Sequence, residues 1–322
     1  MVREGRRRSR SHSPCKWSDN AQVKFAIACL VLAACSAKSG GSGGEEGDSC
    51  DALTPCGSDS VCSVTHTSDG SGECIARGED IDGDGLLNEN DFCNAGPGGA
   101  YDEDRDLIGD DCDKCPIAKP PATPDPDGDE VDAPCDPDSR EPGDRIVVFE
   151  GFRDGIPATW TKTGSWEQRG GDAVVTSTTE VSLTTALPLT TSKMAVLIQY
   201  RVDAVDAGAN SPYIGLVARD QRPASNAIVR CGSQRTTAIG DALALEGDAG
   251  AMSAPVANAF DDASLYSVAL RLQGISAQCA MIADSTQVAA EASTSGEALT
   301  QAGVFVRGGT ARFSYVLVIQ RP

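Results

Sequence analysis

Residues 194–202 read MAVLIQYRV, and residues 311–320 read ARFSYVLVIQ. In the first stretch Met194, Val196, Ile198, Tyr200 and Val202 alternate with other side chains, which predicts a strand with one buried face. The second stretch is apolar on both faces, as in the central strand of a sheet. Short runs of this kind fill residues 145–322, and only the alanine-rich residues 241–263 are predicted as a loop. The sequence therefore predicts an all-β fold whose C-terminal half is a two-sheet sandwich or jelly roll.

Several motifs of this half resemble the concanavalin-A-like, laminin-G-like jelly rolls. They are Phe149-Glu-Gly-Phe152, Trp160 and Trp166 near the start, the strand that ends at Cys231, Tyr266-Ser-Val-Ala-Leu before Cys279, and the closing runs 303–308 and 311–316. The resemblance implies a lectin-like sandwich over residues 145–322, in which we expect Cys231 and Cys279 to pair. Trp160 and Trp166 are candidates for sugar stacking, but we expect both in the core.

The charge of the chain is unevenly distributed. The 322 residues carry a net charge of -20, which residues 36–144 dominate with 6 basic and 29 acidic side chains. Residues 145–322 carry 14 basic and 16 acidic side chains. We expect no nucleic-acid partner, because phosphate contacts need a basic face. The only two histidines are His12 and His66, which excludes His-dependent triads and His-ligated zinc from the C-terminal half.

The N-terminus has the pattern of an export signal. A basic region precedes the apolar residues 25–34, which are too short to span a bilayer, and Leu32-Ala-Ala-Cys35 follows. This order resembles the bacterial lipobox, which implies a signal peptide over residues 1–34, lipidation of Cys35 and a flexible tether over residues 35–49. The alternative is an ordinary secretory signal with a chance cysteine. We expect an outer-membrane or cell-surface lipoprotein held at the membrane by N-terminal lipid. Cys35→Ala should then release the protein from the membrane fraction or block its maturation.

Of the 13 cysteines, Cys15 and Cys29 lie in the predicted signal peptide and Cys35 is the predicted lipidation site. Ten cysteines remain, and an even number in an exported chain predicts five disulfides. A tetrathiolate zinc site is the alternative, although only Cys112 and Cys115 have ligand spacing. Residues 50–78 form a predicted small Cys-rich module that loosely resembles a truncated EGF-like domain. Three connectivities are open there, of which we favour two crossed disulfides; His66 is expected in an exposed loop. The ten cysteines are Cys50, Cys56, Cys62, Cys74, Cys93, Cys112, Cys115, Cys135, Cys231 and Cys279.

Residues 80–138 contain 19 acidic and 3 basic side chains, counted from the sequence. A solvated linker would explain such a run, but the spacing of the acids argues against it. Oxygen donors recur at positions 1, 3, 5, 9 and 12 of twelve-residue loops, which is the ligand order that Ca²⁺ takes in loop sites. The first loop offers Asp80, Asp82, Asp84, the carbonyl of Leu86, Asn88 and Asp91; the second Asp102, Asp104, Asp106, Asp110 and Asp113; the third Asp125, Asp127, Asp129 and Asp136.

This segment resembles thrombospondin type 3 repeats, over the predicted module 79–144. The resemblance implies Asp-rich loops wrapped around Ca²⁺ ions with almost no hydrophobic core, and disulfides Cys93–Cys112 and Cys115–Cys135. The chain departs from the family pattern in four places: Asn94 follows Cys93, Leu107 and Glu130 replace the glycine at position 6, and Ala133 stands at position 9 of the third loop, with Asp132 one place early.

Three functions fit these patterns. The first is a non-enzymatic surface module, in which a calcium-stiffened stalk presents a lectin-like sandwich to a glycan or a surface protein. The second is a structural spacer without a ligand. The third and least favoured is a glycoside hydrolase or lyase, because no E-x-D-x-x-E run occurs after residue 145 and the acids there are scattered. We therefore expect a protein that is not an enzyme, and the sequence does not locate its ligand site.

Overall fold

The computed structural model describes residues 44–51, 54–65, 72–119, 125–206, 208–209, 211–222, 225, 227–262, 264–283 and 286–322. The signal peptide, Cys35 and His66 lie outside the described residues, so the predictions made for them stay predictions. Within the part that is described, no helix is long and apolar enough to cross a membrane.

The described residues form 18 strands and one short 3-10 helix over Asn88–Asn90. The strands are β1 Ser49–Cys50, β2 Ser60–Ser63, β3 Gly72–Ala76, β4 Arg145–Glu150, β5 Thr161–Lys162, β6 Glu167–Arg169, β7 Asp172–Ser177, β8 Val181–Thr191, β9 Lys193–Val205, β10 Tyr213–Arg219, β11 Ile228–Thr236, β12 Gly240–Gly247, β13 Gly250–Pro255, β14 Tyr266–Gln273, β15 Ser276–Ala283, β16 Thr286–Ser293, β17 Leu299–Arg307 and β18 Gly309–Gln320. The predicted all-β class is confirmed.

Two antiparallel sheets form the C-terminal sandwich. The eight-stranded sheet includes β16-β15-β14-β9-β18-β7-β6, with β4 paired to β18 outside this order. The seven-stranded sheet has the order β13-β12-β11-β10-β17-β8-β5. Inward-facing side chains of both sheets form one large core, which includes Val196, Ile198 and Tyr200 of β9. The alternation in β9 and the central position of β18 are as predicted.

The core explains two further sequence features. Trp160 and Trp166 are 7% and 8% exposed and belong to the core cluster, so they stack on no sugar from these positions. Cys231 of β11 is bonded to Cys279 of β15, which links the two sheets across the core. Closing a loop with a sequence separation of 48 stabilises the folded sandwich by about 4 kcal/mol in the chain-entropy model.

The loop predicted for residues 241–263 is wrong in its first half. The strands β12 and β13 occupy residues 240–255 and pair with each other antiparallel. Alanine and glycine have low strand propensity, but Leu243 and Leu245 of β12 point into the core. Burial on a sheet face therefore outweighs the local composition.

A small three-stranded sheet, in the order β1-β3-β2, precedes the acidic segment. Its disulfides Cys50–Cys62 and Cys56–Cys74 cross each other in sequence. The acidic segment is joined to this sheet by a main-chain contact, since Arg77 N donates at 2.9 Å to the carbonyl of Asp59, which directly precedes β2. The acidic run thus begins from a disulfide-held base.

Residues 77–144, named here the acidic segment, contain no strand among the described residues. Disulfides Cys93–Cys112 and Cys115–Cys135 cross-link it. The second of these disulfides and Val131 form a buried cluster on the outer face of the eight-stranded sheet. The sheet residues of that cluster are Ala195, Tyr315, Leu317 and Ile319. The acidic segment therefore packs against the sandwich, which the sequence pattern did not indicate.

Candidate metal-binding site

Three groups of three aspartates bring their carboxylates together. In each group one oxygen per side chain lies within 4.8 Å of the others. The groups hold positions 1, 3 and 5 of the three predicted loops, and we name them the first, second and third cradles. They consist of Asp80, Asp82 and Asp84; Asp102, Asp104 and Asp106; and Asp125, Asp127 and Asp129.

The backbone of the three loops is the same at positions 4 and 6. Both positions have a positive φ in every loop: Gly83 and Gly85, Arg105 and Leu107, and Gly128 and Glu130. In a residue other than glycine this conformation costs about 1–2 kcal/mol. The left-handed turn is therefore kept where the sequence has lost the glycine, so the departures at Leu107 and Glu130 leave the loop intact.

The aspartate at position 1 holds this turn in every loop. Asp80, Asp102 and Asp125 each accept a bond from the backbone N–H of position 6, at 3.0, 2.9 and 2.9 Å. The same carboxylates also accept the N–H of position 4, at 2.6 to 2.8 Å. The loops thus place the remaining carboxylates of the cradle around a common centre.

Several carboxylate oxygens of the cradles, and one of Asp136 beside the third cradle, are buried and have no hydrogen-bond partner. They are Asp82 Oδ2, Asp104 Oδ2, Asp106 Oδ2, both oxygens of Asp127, and Asp136 Oδ2. Burying a carboxylate without a partner costs much free energy, so a cation bound to these oxygens would stabilise the folded loops. The donors are all hard oxygens and come in groups of three or more, which fits Ca²⁺ better than a thiolate- or imidazole-seeking metal.

The electrostatics of the second cradle point the same way. Burial, with the neighbouring carboxylates Asp106 and Asp102, raises the pKa of Asp104 to about 7. Burial also raises the pKa of Asp113 to about 8 and that of Asp110 to about 6. A carboxyl group with a pKa near neutral pH lies where its negative charge is unfavourable, because it is buried close to other carboxylates without a counter-charge. A bound cation would supply that counter-charge.

The predicted ligands outside the cradles differ in what they contact. Asp91 lies near the first cradle, since Asp80, Asp82 and Asp84 help burial to raise its pKa. Asn88 is buried, and its side chain forms hydrogen bonds with the backbone. Its Oδ1 accepts the N–H of Ile81 at 3.1 Å, and its Nδ2 donates to the carbonyl of Ala76 at 2.7 Å. The N–H of Leu86 donates to Asp84 Oδ1 at 2.8 Å.

Two acidic residues near the cradles were not among the predicted ligands. Asp132 is 5% exposed, and its Oδ1 is buried without a partner. Its position one place early in the third loop was the only sequence signal. Asp144 is 3% exposed and lies beside Asp136, after the twelve-residue pattern has ended. No spacing rule could have found it.

One further group of candidate metal ligands does not fit a metal. Sulfur atoms of Cys50, Cys56 and Cys74 lie close together, but all three are in disulfides. A disulfide offers no thiolate, so this group forms no zinc site. The same holds for Cys112 and Cys115, the pair with zinc-ligand spacing, since both are in disulfides.

Polar contacts accompany the packing of the acidic segment on the sandwich. Arg153 pairs with Glu103, and Tyr101 donates to Asp154. At the other end Arg321, which follows β18, pairs with Asp144 and with Glu141. These contacts fix the second and third loops to the sandwich at separate points.

The opposite surface of the sandwich, the outer face of the seven-stranded sheet, carries an arginine cluster. Phe305 and Tyr213 lie beneath it, and Arg230 and Arg307 lie over their rings and both approach Glu180. Arg219 is held differently. Its guanidinium donates to Gln301 Oε1 at 3.1 Å and to Thr184 Oγ1 at 3.2 Å. Within the described residues it has no ion pair, and burial beside Arg230 lowers its pKa.

No family model matches the chain, and no curated protein matches it. Some solved structures are similar to part of the chain at low TM-scores and low identity. Winged bean acidic lectin complexed with methyl-α-D-galactose has a TM-score of 0.43 and 7% identity, over 55% of this chain and 98% of the lectin. A GH43 protein from Bacillus licheniformis has a TM-score of 0.40 and 11% identity, over 53% of this chain.

A xylan β-1,4-xylosidase from Bacillus halodurans gives a TM-score of 0.41 and 10% identity, over 56% of this chain. The matched region spans only 39% and 40% of the two Bacillus proteins. At these identities and TM-scores the likenesses do not bear on function. The prediction that the protein is not an enzyme stays a prediction.

Proposed function

We propose that the acidic segment binds Ca²⁺ and that the ions hold it as a rigid support for the sandwich. The observation that carries this proposal is the set of buried, unpartnered carboxylate oxygens in the three cradles. The ions would supply the positive charge that three basic side chains cannot supply to 19 acidic ones over residues 80–138. Each cradle would contribute its three carboxylates, and the flanking Asp91, Asp113 and Asp136 would complete the sites.

Replacing one carboxylate of the first cradle should weaken a single site. Asp84→Asn keeps an oxygen that can accept the N–H of Leu86 but removes a ligand charge, so we expect at least about a tenfold loss of calcium affinity at one site. Isothermal titration calorimetry with CaCl₂ would measure it. Glu89→Gln is the control, because Glu89 is not part of the cradle and its carboxylate pairs with Arg77 at 3.5 Å. Equal affinities for the two variants would contradict a site at the first cradle.

The sandwich is the part of the protein that the support would present. With Cys35 lipidated, the chain would be anchored at the cell envelope and the sandwich would face a glycan or another surface protein. This part of the proposal rests on the lipobox pattern and on the sandwich fold. A structural spacer without a ligand is the competing function, and the two differ in whether the sandwich has a binding face.

One observation favours a binding face, namely the arginine cluster on the seven-stranded sheet. The Arg219 guanidinium is partly buried and is oriented by Gln301 and Thr184. Among the described residues it forms no salt bridge; the nearby Glu180 attracts it but pairs with Arg230 and Arg307. A guanidinium held in this way pairs best with a planar carboxylate. We therefore propose that this face binds a carboxylate-bearing sugar, as in uronic-acid polysaccharides.

A glycan array with uronic-acid and neutral oligosaccharides would test the binding face. We expect binding to the acidic sugars, and about a 10- to 100-fold loss of affinity for Arg219→Ala, since a charge-assisted hydrogen bond contributes about 1.5–3 kcal/mol. Lys162→Ala is the control, because Lys162 is an exposed cation on β5 of the same sheet. If Arg219→Ala leaves sugar binding unchanged, the arginine cluster is not the binding site. If the protein binds no sugar on the array, the structural spacer is the favoured function.

A further inference from the structure

The third loop lacks an oxygen donor at position 9, where the sequence has Ala133. In the structure a later residue comes back to this loop. The backbone N–H groups of Gly143 and Asp144 donate to Asp129 Oδ2 at 2.9 and 2.7 Å. The carboxylate of Asp144 lies close enough to Asp136 to raise the pKa of that residue. Asp144 thus reaches the third cradle from outside the repeat pattern.

The same carboxylate is tied to the end of the sandwich. Arg321 Nε donates to Asp144 Oδ1 at 3.1 Å, and a second nitrogen of the guanidinium contacts Oδ2. Arg321 follows β18, and its side chain is only 12% exposed. It also lies 3.3 Å from Glu141 and 3.9 Å from Asp138. A buried, two-point arginine–carboxylate pair therefore joins the third loop to the sandwich, in addition to the packing of Val131 and Cys135 on the sheet.

The charges around this connection do not balance. Arg321 faces Asp138, Glu141 and Asp144, and Asp136 lies beside them; Arg271 approaches only Asp138, at 3.7 Å. Both carboxylate oxygens of Asp127 and one of Asp136 are buried without a hydrogen-bond partner. The two arginines thus pair with three of these acids, and Asp127 and Asp136 keep buried oxygens that neither arginine reaches.

We propose that Asp144 is a ligand of the ion in the third cradle and that its pair with Arg321 couples calcium binding to docking of the acidic segment on the sandwich. This inference rests on the proposed calcium binding. Because Asp144 contacts both the cradle and Arg321, an ion that orders the third loop also orders the docked interface of Val131, Cys135, Leu317 and Ile319. Coupling of this kind is reciprocal, so docking must also strengthen calcium binding.

Tryptophan fluorescence separates the sandwich from the acidic segment. Apart from Trp17, the chain has only Trp160 and Trp166, and both are buried in the sandwich. In the full chain with Trp17→Phe, thermal unfolding followed by tryptophan emission therefore reports the sandwich alone. We expect calcium to raise the Tm of the sandwich by several degrees.

Three variants test the coupling. Asp144→Asn should lower the calcium affinity of one site at least about tenfold in calorimetry, and Arg321→Gln should lose at least half of the calcium-dependent rise in Tm. Arg312→Gln is the control: it removes an arginine of β18 from a two-point pair with Asp203, away from the acidic segment. Each Tm is compared with that of the same variant in EGTA, so a loss of intrinsic stability does not affect the result.

The outcomes separate the two proposals. Calcium binding with a full rise in Tm for Arg321→Gln, or an Asp144→Asn variant with unchanged affinity, would overturn the coupling and leave the calcium sites standing. Absence of calcium binding in the unsubstituted chain would overturn both. A rise in Tm that Arg321→Gln loses and Arg312→Gln keeps would support the coupling.

Discussion

Removal of calcium with EGTA is expected to open the acidic segment while the sandwich stays folded at 25 °C. Residues 80–138 carry 19 acidic and 3 basic side chains, and carboxylates a few ångströms apart repel each other without a counter-ion. The sandwich has its own core, and its charges nearly balance. Hydrogen exchange measured by mass spectrometry should show at least about a tenfold loss of protection in residues 80–138 and a much smaller change in β10 and β17, which lie in the seven-stranded sheet.

Magnesium provides the matched control for this experiment. It demands near-ideal octahedral geometry and gives up its water reluctantly, so equal concentrations of MgCl₂ should restore less protection than CaCl₂. If EGTA leaves the exchange of residues 80–138 unchanged, the disulfides and the packing on the sandwich are sufficient to hold the segment, and the ions are not part of its structure.

Calcium affinity is expected to fall by about 10- to 100-fold between pH 8 and pH 6. The raised pKa values, about 8 for Asp113 and about 7 for Asp104 and Asp136, mean that protons occupy these carboxyls at neutral pH without metal. Calcium must displace those protons, so binding releases them. Calorimetry in buffers of different ionisation enthalpy would count the protons released at each pH.

The raised pKa values also determine how the stability of the metal-free acidic segment depends on pH. Because the folded pKa values lie above the unfolded value near 4, protonation stabilises the folded segment at low pH, and this stabilisation is lost as the pH rises through about 6 to 8. The chelated protein should therefore resist proteolysis better at pH 5 than at pH 8. Asp113→Asn should reduce the number of protons released, and binding enthalpies that do not depend on the buffer would contradict the proton linkage.

Much of the fold follows from side-chain alternation. The pattern in β9 predicts its buried face because period-two burial is visible in a single strand. The pattern in β18 predicted less of its surroundings. Its doubly apolar composition indicated a central strand, but it did not reveal that Tyr315, Leu317 and Ile319 are covered by the acidic segment. A strand's sequence records that both faces are buried, not what covers them.

Part of the candidate metal site could likewise be predicted from the sequence, and part could not. The three cradles are local, so the spacing of aspartates within each loop was enough to place them together. Asp144 reaches the third cradle only because the chain returns there before β4, and Arg321 lies 177 residues further along. Contacts of this kind depend on the tertiary fold, and no motif of twelve residues contains them.

The central claim is that the three cradles bind calcium, and native mass spectrometry of the full chain measures this most directly. Spectra recorded with and without CaCl₂ should differ by the mass of at least three calcium ions, one for each carboxylate triad. Asp84→Asn, Asp104→Asn and Asp127→Asn should each remove one ion, and Glu89→Gln should remove none. A chain that binds no calcium at millimolar concentration, or that keeps the same number of ions in all four variants, would contradict the claim.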